Sequence, residues 1–173
     1  MPFPEYPPTV PEMIQALSRT YGASEMIVLD DTRLTYEEAE RDSAILARGL
    51  LAQGVGKGTR VGLLMPNGPD WVRAWLAVTR IGAVLVPLNT FFQTRELQWI
   101  LRHADVHTLL CVPQMLSHDY LTRLEEAAPT LGDCGPSPFY LPDLPHLRQV
   151  FVFGESRRPW AQSADLLRAT PRR

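Results

Sequence analysis

Cysteine is scarce in this sequence: Cys111 and Cys134 are the only two. Their spacing fits neither a disulfide framework nor a zinc site, which excludes staple-dependent secreted folds and zinc ribbons. The first eleven residues, MPFPEYPPTVP, contain no apolar segment of the secretory kind. Two thiols and no leader point to a reducing, cytoplasmic compartment. No run of about 18 apolar residues occurs, so no segment reads as a membrane span. Charge of neither sign dominates. A net charge of −2 gives no electrostatic reason to expect nucleic acid as a partner. Ser43, Ser117 and Ser163 lie in no G-x-S-x-G frame, so no hydrolase nucleophile is visible. There is no internal repeat and no low-complexity tract.

What is present is a globular composition, 45% hydrophobic and 21% charged. A chain of 173 residues holds one domain with a real core, or two only if both are small. The stretch Thr59 to Asn89 organises it. Arg60 to Met65 is a short apolar run, as in a buried strand. Pro66-Asn67-Gly68 is a turn cluster. Pro69 suits the first helical position, because its fixed φ is helical and its missing N–H would be unbonded there. Asp70 places negative charge where the helix dipole favours it. The helix is expected to run to about Ile81, stopped by Gly82, and Ala83 to Pro87 is a second apolar strand. Strand, helix and strand with short links predict a parallel pair. The helix is apolar nearly all round: Trp71, Trp75 and Val78 on one side, Val72, Leu76 and Thr79 on the next, with Arg73 and Arg80 polar. Such a helix is buried between two layers. Truncating either Trp would cost roughly 3–5 kcal/mol if both are core residues.

In chain order, residues 1–10 read as an extended Pro-rich arm and Pro11 to Tyr21 as a helix. A hairpin follows around Asp30-Asp31-Thr32. Thr35 and Glu38 form a capping box for a helix carrying Tyr36, Ala39, Ser43, Leu46, Ala47 and Leu50 on one face, ending near Gly54. Thr94 to about Asp105 is another helix, and Thr108 to Val112 a strand. Pro113 to Ala128 is expected to be mostly helix, with Leu116, Tyr120, Leu124 and Ala127 on one face. Pro129 to Pro145 is a proline-rich loop, expected as a surface excursion, and Gln149 to Phe153 is a last strand. Residues 11–153 thus form the core and 154–173 a polar, basic tail with a short helix from Ser163 to Ala169. The alternation of elements predicts an α/β fold: a layered sheet of parallel βαβ units flanked by helices.

Candidate chemistry is thin. Gly54-Val55-Gly56-Lys57-Gly58-Thr59 fails the phosphate-loop spacing and stands before a strand, so it reads as a turn. His103 and His107 have one-turn metal spacing, but Ala104-Asp105 ends the helix between them, so the rings would not share a face. Glu37, Glu38 and Glu40 read as helix N-terminal charges. Glu125 and Glu126 read as a solvated face. Arg157-Arg158 and Arg172-Arg173 are basic pairs in tail sequence. Ligands of open α/β sheets sit outside the carboxyl ends of the strands. That makes Asn89-Thr90-Phe91-Phe92-Gln93 the best site candidate, set against ordinary core packing for Phe91 and Phe92.

The run GVGKGTRVGLLMPNGPDWVRAWLAVTRIGAVLVPLNT, followed by RELQWILRHADVHTLLCV, resembles the N-terminal part of the adenylate-forming enzymes. These include acyl- and aryl-CoA synthetases, firefly luciferase and peptide-synthetase adenylation domains. LTYEEAERDSAILARGLLAQGVGKG fits as well, so the resemblance covers about Pro11 to Val152. Gly68 departs from a frequent family Ser, a substitution that caps only a few tenths of a kcal/mol less well. The resemblance implies an incomplete N-terminal part of that fold. It implies a parent acyl-CoA synthetase that joins a fatty or other carboxylic acid to CoA through an acyl-adenylate, using ATP, Mg2+ and CoA. The family's phosphate loop, its magnesium and ribose carboxylates and its catalytic Lys all lie downstream of the strand matching Gln149 to Phe153. This chain is therefore expected to bind none of these cofactors, to contribute no catalytic or metal-binding residue and to be inactive alone. Its partners would be the rest of the parent chain and, through an uncovered face, other copies of itself. The parent would be cytoplasmic or lie at a membrane surface. By the same resemblance Asn89, Phe91 and Phe92 lie on the side where the CoA arm approaches. A free-standing α/β interaction module, or a truncated remnant of the family, is the alternative, and other adenylate-forming chemistry stays open.

Overall fold

The apolar runs that begin at Arg60, Val84, Thr108 and Gln149 become neighbours in one sheet. The computed structural model describes residues 6–169. The first five residues of the expected arm and the Arg172-Arg173 pair lie outside them. In order, the elements are α1 (Val10–Tyr21), β1 (Glu25–Leu29), β2 (Thr32–Thr35), α2 (Tyr36–Ala52), β3 (Arg60–Leu64), α3 (Pro69–Arg80), β4 (Val84–Pro87) and α4 (Thr94–His103). Then come β5 (Thr108–Cys111), β6 (Gln114–Met115), β7 (His118–Asp119), α5 (Tyr120–Ala127), a 3-10 turn (Pro129–Asp133), β8 (Gln149–Val152), β9 (Ala161–Ser163) and α6 (Asp165–Arg168). The main sheet has five strands in the order β4-β3-β5-β8-β9. Every neighbouring pair in it is parallel. This is a doubly wound order, with the first strand of the sheet flanked by the second and third.

Parallel strands buried on both faces read as unbroken apolar runs. All four residues of β5 and of β8 are buried. Alternation sends Leu109, Cys111, Val150 and Val152 to one face, against α4 and α5. Leu110 and Phe151 go to the other, against α2 and α3. Helix α3 also has a second layer outside it: Leu76 packs with Ile14, Leu34 and Ala39 of α1, β2 and α2. The two-sided burial expected of α3 is present, but not through its indoles. Ala74, Leu76, Ala77 and Val78 are its buried residues, whereas Trp71 and Trp75 are half-buried. The two rings lean on each other with centroids 6.3 Å apart. The alanines allow α3 to approach the sheet closely and the indoles fill its margins, so truncating a Trp costs less than a core value. The two polar residues of α3 clasp α2: Arg73 to Asp42 at 3.0 Å and Arg80 to Glu40 at 3.1 Å. The capping box of α2 forms as expected.

Three expectations change. Pro113 to Ala128 is a small hairpin and a shorter helix. Leu116 sits at the hairpin turn with φ +52°, 81% exposed, rather than on a helix face. Asp119 starts α5 by accepting the N–H of Thr122 at 2.9 Å. The 129–145 loop is no surface excursion. Its prolines prevent regular structure, but Leu131, Phe139, Leu141 and Leu144 are buried on the sheet face shared with α4 and α5. Residues 154–169 are no polar tail: β9 extends the sheet, and Trp160 and Leu167 are fully buried. The chain covers both faces of β5 and β8 and both sides of α3, while β4 at the sheet edge stays half-exposed. At these central strands no uncovered face supports the expected self-association.

Helix α6 docks on α2 at Gly49. A Cβ there would lie 1.9 Å from the Leu167 carbonyl oxygen. Within a helix, Gly→Ala ordinarily stabilises by about 1 kcal/mol. Here Gly49→Ala is expected to destabilise by about 1–3 kcal/mol, as overpacking does. Urea unfolding should read the loss, with hydrogen exchange rising first in residues 160–169.

Candidate functional site

The carboxyl ends of β3, β4 and β5 mark the point where the strand order reverses, the place where doubly wound sheets hold ligands. Three connections leave it. The first, after β3, leads into α3, whose N-terminus carries Pro69 and Asp70. Pro69 offers no N–H. The Asp70 carboxylate stands in the first turn and pairs with Arg73 at 3.2 Å and Arg168 at 3.3 Å. That helix end already holds the chain's own negative charge, so it does not fit a nucleotide phosphate.

The second connection, 88–93, is the expected site loop. Asn89 is exposed and its Oδ1 accepts the Phe91 N–H at 2.9 Å, closing a local turn. Phe91 is 59% exposed. Phe92 turns inward and is half-buried against the core. Of the three residues proposed from sequence, Asn89 and Phe91 are therefore presented outward, while Phe92 follows the core-packing alternative. Gln93 and Glu96 then start α4, the Gln93 N–H donating to Oε2 at 2.9 Å.

The third connection fastens the second. The Tyr120 hydroxyl donates to the Thr90 carbonyl at 2.8 Å, and Arg123 Nη1 donates to the Phe92 carbonyl at 2.8 Å. Arg123 Nη2 also reaches His118 Nδ1. A guanidinium has no acceptor, so in this contact Nδ1 is the accepting side. The His118 ring meets Phe91 edge-on, with centroids 5.5 Å apart and planes at 87°. Burial pushes the Tyr120 phenol above its ordinary value, against the opposing pull of the Thr90 hydrogen bond and the Arg123 charge. A raised phenol pKa keeps the donor proton in place below the ordinary tyrosine range and gives it up only as pH rises through the raised value. Sequence reasoning missed Tyr120, His118 and Arg123 as partners of the loop. The available signal was Asp119 as a helix cap, which puts Tyr120 and Arg123 on one face of α5.

The other candidates resolve into structure. Gly54 and Gly58 take φ +78° and +79° in the turn between α2 and β3. His103 stacks on Trp99 at 4.6 Å, and His107 Nδ1 lies 3.0 Å from the Thr108 hydroxyl. The two rings thus face different partners. Glu125 is not part of a solvated face, since it accepts from Arg158 at 2.9 Å and from the Trp160 indole at 3.0 Å. Arg158 is correspondingly tied down. Burial pushes the Cys111 thiol up to about 12, so it stays protonated. Among the described residues, no three His, Cys, Asp or Glu side chains gather to hold a metal ion. With Pro69 and Asp70 at the reversal point, the described residues alone do not fit a Mg2+–ATP cradle. Among them no helix is long and apolar enough to cross a membrane.

Comparison with known proteins gives concordant results. Residues 14–159 match the family of AMP-binding enzymes. An acyl-CoA ligase of Ajellomyces capsulatus is 31% identical over 163 residues, which cover 93% of this chain and 26% of that protein. A medium-chain mitochondrial acyl-CoA ligase of Danio rerio is 31% identical over 153 residues, covering 87% and 25%. An acyl-CoA ligase of Aspergillus fumigatus is 35% identical over 132 residues, covering 75% and 21%. The chain spans about a quarter of the length of these curated relatives. Among solved structures, an anthranilate CoA ligase with anthranoyl-AMP superposes with a TM-score of 0.77 at 22% identity, over 96% of this chain and 29% of that one. A long-chain-fatty-acid CoA ligase from Rhodopseudomonas palustris, so described provisionally, gives 0.74 at 23% identity over 91% and 36%. At these identities the likeness to the two structures is one of fold.

Tyr120→Phe is expected to cost about 0.5–1.5 kcal/mol, the net worth of one hydrogen bond. Amide exchange at Phe91 and Phe92 should accelerate while the sheet amides keep their protection relative to global stability. Unchanged exchange in the loop would show that Tyr120 does not hold it.

Proposed function

The chain belongs to the AMP-binding enzyme family, and on that footing we propose that it is the N-terminal scaffold of an ATP-dependent acyl-CoA ligase. Such a ligase activates a fatty or other carboxylic acid as an acyl-adenylate with loss of pyrophosphate, then passes the acyl group to CoA. ATP with Mg2+ supplies the leaving group and the charge neutralisation of the first half-reaction. The part of this chain is to hold the carboxyl end of the sheet rigid and to present Asn89 and Phe91 on the CoA side, with Tyr120 and Arg123 as positioning residues. The observation that carries the reading is the continuous match along residues 14–159, joined to relatives that are acyl-CoA ligases. The remainder of such a ligase would be the principal partner. The setting proposed is the cytoplasm or a membrane surface within it, where Cys111 and Cys134 stay reduced.

One feature favours a second reading. The sheet is covered on both faces by the chain's own helices and loop, as in a self-sufficient α/β interaction module. One measurement tests the scaffold role and a second separates the two readings. With ATP, Mg2+, CoA and a panel of carboxylic acids, the purified chain is expected to release no pyrophosphate above background. Acid-dependent release would overturn the assignment of a scaffold role. Sequencing past the codon for Arg173 decides between the readings. An open frame encoding a Ser/Thr/Gly-rich loop with Pro-Lys-Gly supports the ligase, and a stop codon supports the module. Under either reading a monomer is expected by light scattering, because the two faces of the sheet are filled.

A further inference from the structure

The amino-terminal edge of the sheet, at the end opposite the 89–93 loop, carries a row of basic side-chain types, two arginines flanking a histidine. Val61, Thr108 and Gln149 are register partners across β3, β5 and β8. The residues one step earlier, Arg60, His107 and Arg148, are therefore also side by side. Backbone bonds confirm it, with His107 N–H donating to the Arg60 carbonyl and Arg148 N–H to the His107 carbonyl, both at 2.9 Å. Side chains alternate along a strand, so these three share a face. Neighbouring strands are about 4.8 Å apart. Like charges set opposite each other across strands are unfavourable. A row of three basic side chains thus needs an account.

The chain supplies only part of the compensation. The side chains lining the cavity over this row include two arginines, two histidines and a single carboxylate, Asp105. Asp105 is held over the row by the turn after α4, with φ +48°. It lies 3.2 Å from His146 Nε2 and 3.9 Å from Arg60 Nη1. Arg148 has no carboxylate partner among the described residues. Its guanidinium is flattened 4.6 Å over the Tyr140 ring, and Nη1 donates to the Leu147 carbonyl at 3.0 Å. The positive field is felt locally, since burial, and after it the Arg148 charge, hold His107 below the ordinary histidine range. The cavity measures about 350 Å³ and opens to solvent. That is room for more than a single water layer.

We propose that Arg60, His107 and Arg148, with His146 beside them, form a binding site for a phosphate group, separate from the carboxyl-end loop. Two fixed positive charges against one carboxylate leave an excess of one positive charge. Planar guanidinium forks suit phosphate oxygens, and the excess charge favours an anion. The group could arrive as free phosphate or on a small phosphomonoester. The shared chemistry is the phosphate oxygen array. The site is independent of the ligase reading.

The test is imidazole-detected NMR of the full chain near neutral pH. Inorganic phosphate, glycerol 3-phosphate and chloride are added separately at matched ionic strength. The His107 and His146 signals are expected to move saturably with phosphate and to stay in place with chloride. Tighter binding of glycerol 3-phosphate than of phosphate would assign the site to a phosphomonoester, and the reverse to the free ion. Arg148→Gln should weaken phosphate binding about tenfold or more, the worth of one charge-assisted contact. Asp105→Asn should tighten it, which a general loss of fold would not do. Equal shifts with chloride, or phosphate affinities unmoved in both variants, would overturn the proposal.

Discussion

A parallel sheet must be buried on both faces, and the rest of this structure answers that requirement. Once β3, β5 and β8 are fixed as neighbours, their alternating side chains demand two apolar coverings rather than one. Helices α2 and α3 supply the first, and α4, α5 and the 134–147 loop supply the second. The small residues follow from the same demand. Ala74 and Ala77 let α3 lie close to the strands, and Gly49 lets α6 lie close to α2. The ion pairs from Arg73 and Arg80 to α2 are partly exposed, and they fix which way α3 lies rather than supplying much stability.

The two ends of the sheet differ in chemical character. At the carboxyl end, backbone carbonyls of the 88–93 connection are taken up by a phenol and a guanidinium, leaving an asparagine and an exposed aromatic ring facing outward. At the amino end, the side chains are basic and crowded, with one carboxylate among them. In a longer relative, the carboxyl end is where doubly wound sheets conduct their chemistry. The amino end is then free to serve a different ligand without competing for the same space.

Most of the fold is legible in the sequence, for identifiable reasons. The capping box at Thr35 and Glu38, the Pro-Asn-Gly turn into α3 and the apolar runs of β3, β5 and β8 each combine a local signal with a matching burial demand. The failures share a cause. Leu116 has helical spacing to Tyr120 and Leu124 but sits in a left-handed turn, which periodicity does not register. Trp160 and Leu167 lie in polar surroundings, yet three residues of β9 suffice to pair with β8 and bury the indole. The prolines of the 129–145 loop announce irregular backbone, and irregular backbone was equated with exposure. Phe139, Leu141 and Leu144 show that a broken chain still covers a sheet. At the candidate site, the outward loop bearing Asn89 and Phe91 is legible because strand ends are predictable. Tyr120 and Arg123 were not, because their role depends on how two distant connections meet.

The seat of Leu167 on Gly49 has a consequence for how this chain is made. The two residues are 118 positions apart in the chain, so the groove on α2 exists long before its occupant leaves the ribosome. Near the end of that interval β8 is an outer strand without its final neighbour, until Ala161 to Ser163 follow it nine residues later. An unpaired strand edge of Gln-Val-Phe-Val composition is a template for unwanted pairing with another nascent chain. The short segment 161–167 therefore acts as a seal applied only after β8 has been made. The interval before it closes is when the polypeptide is most exposed to misassembly on the polysome.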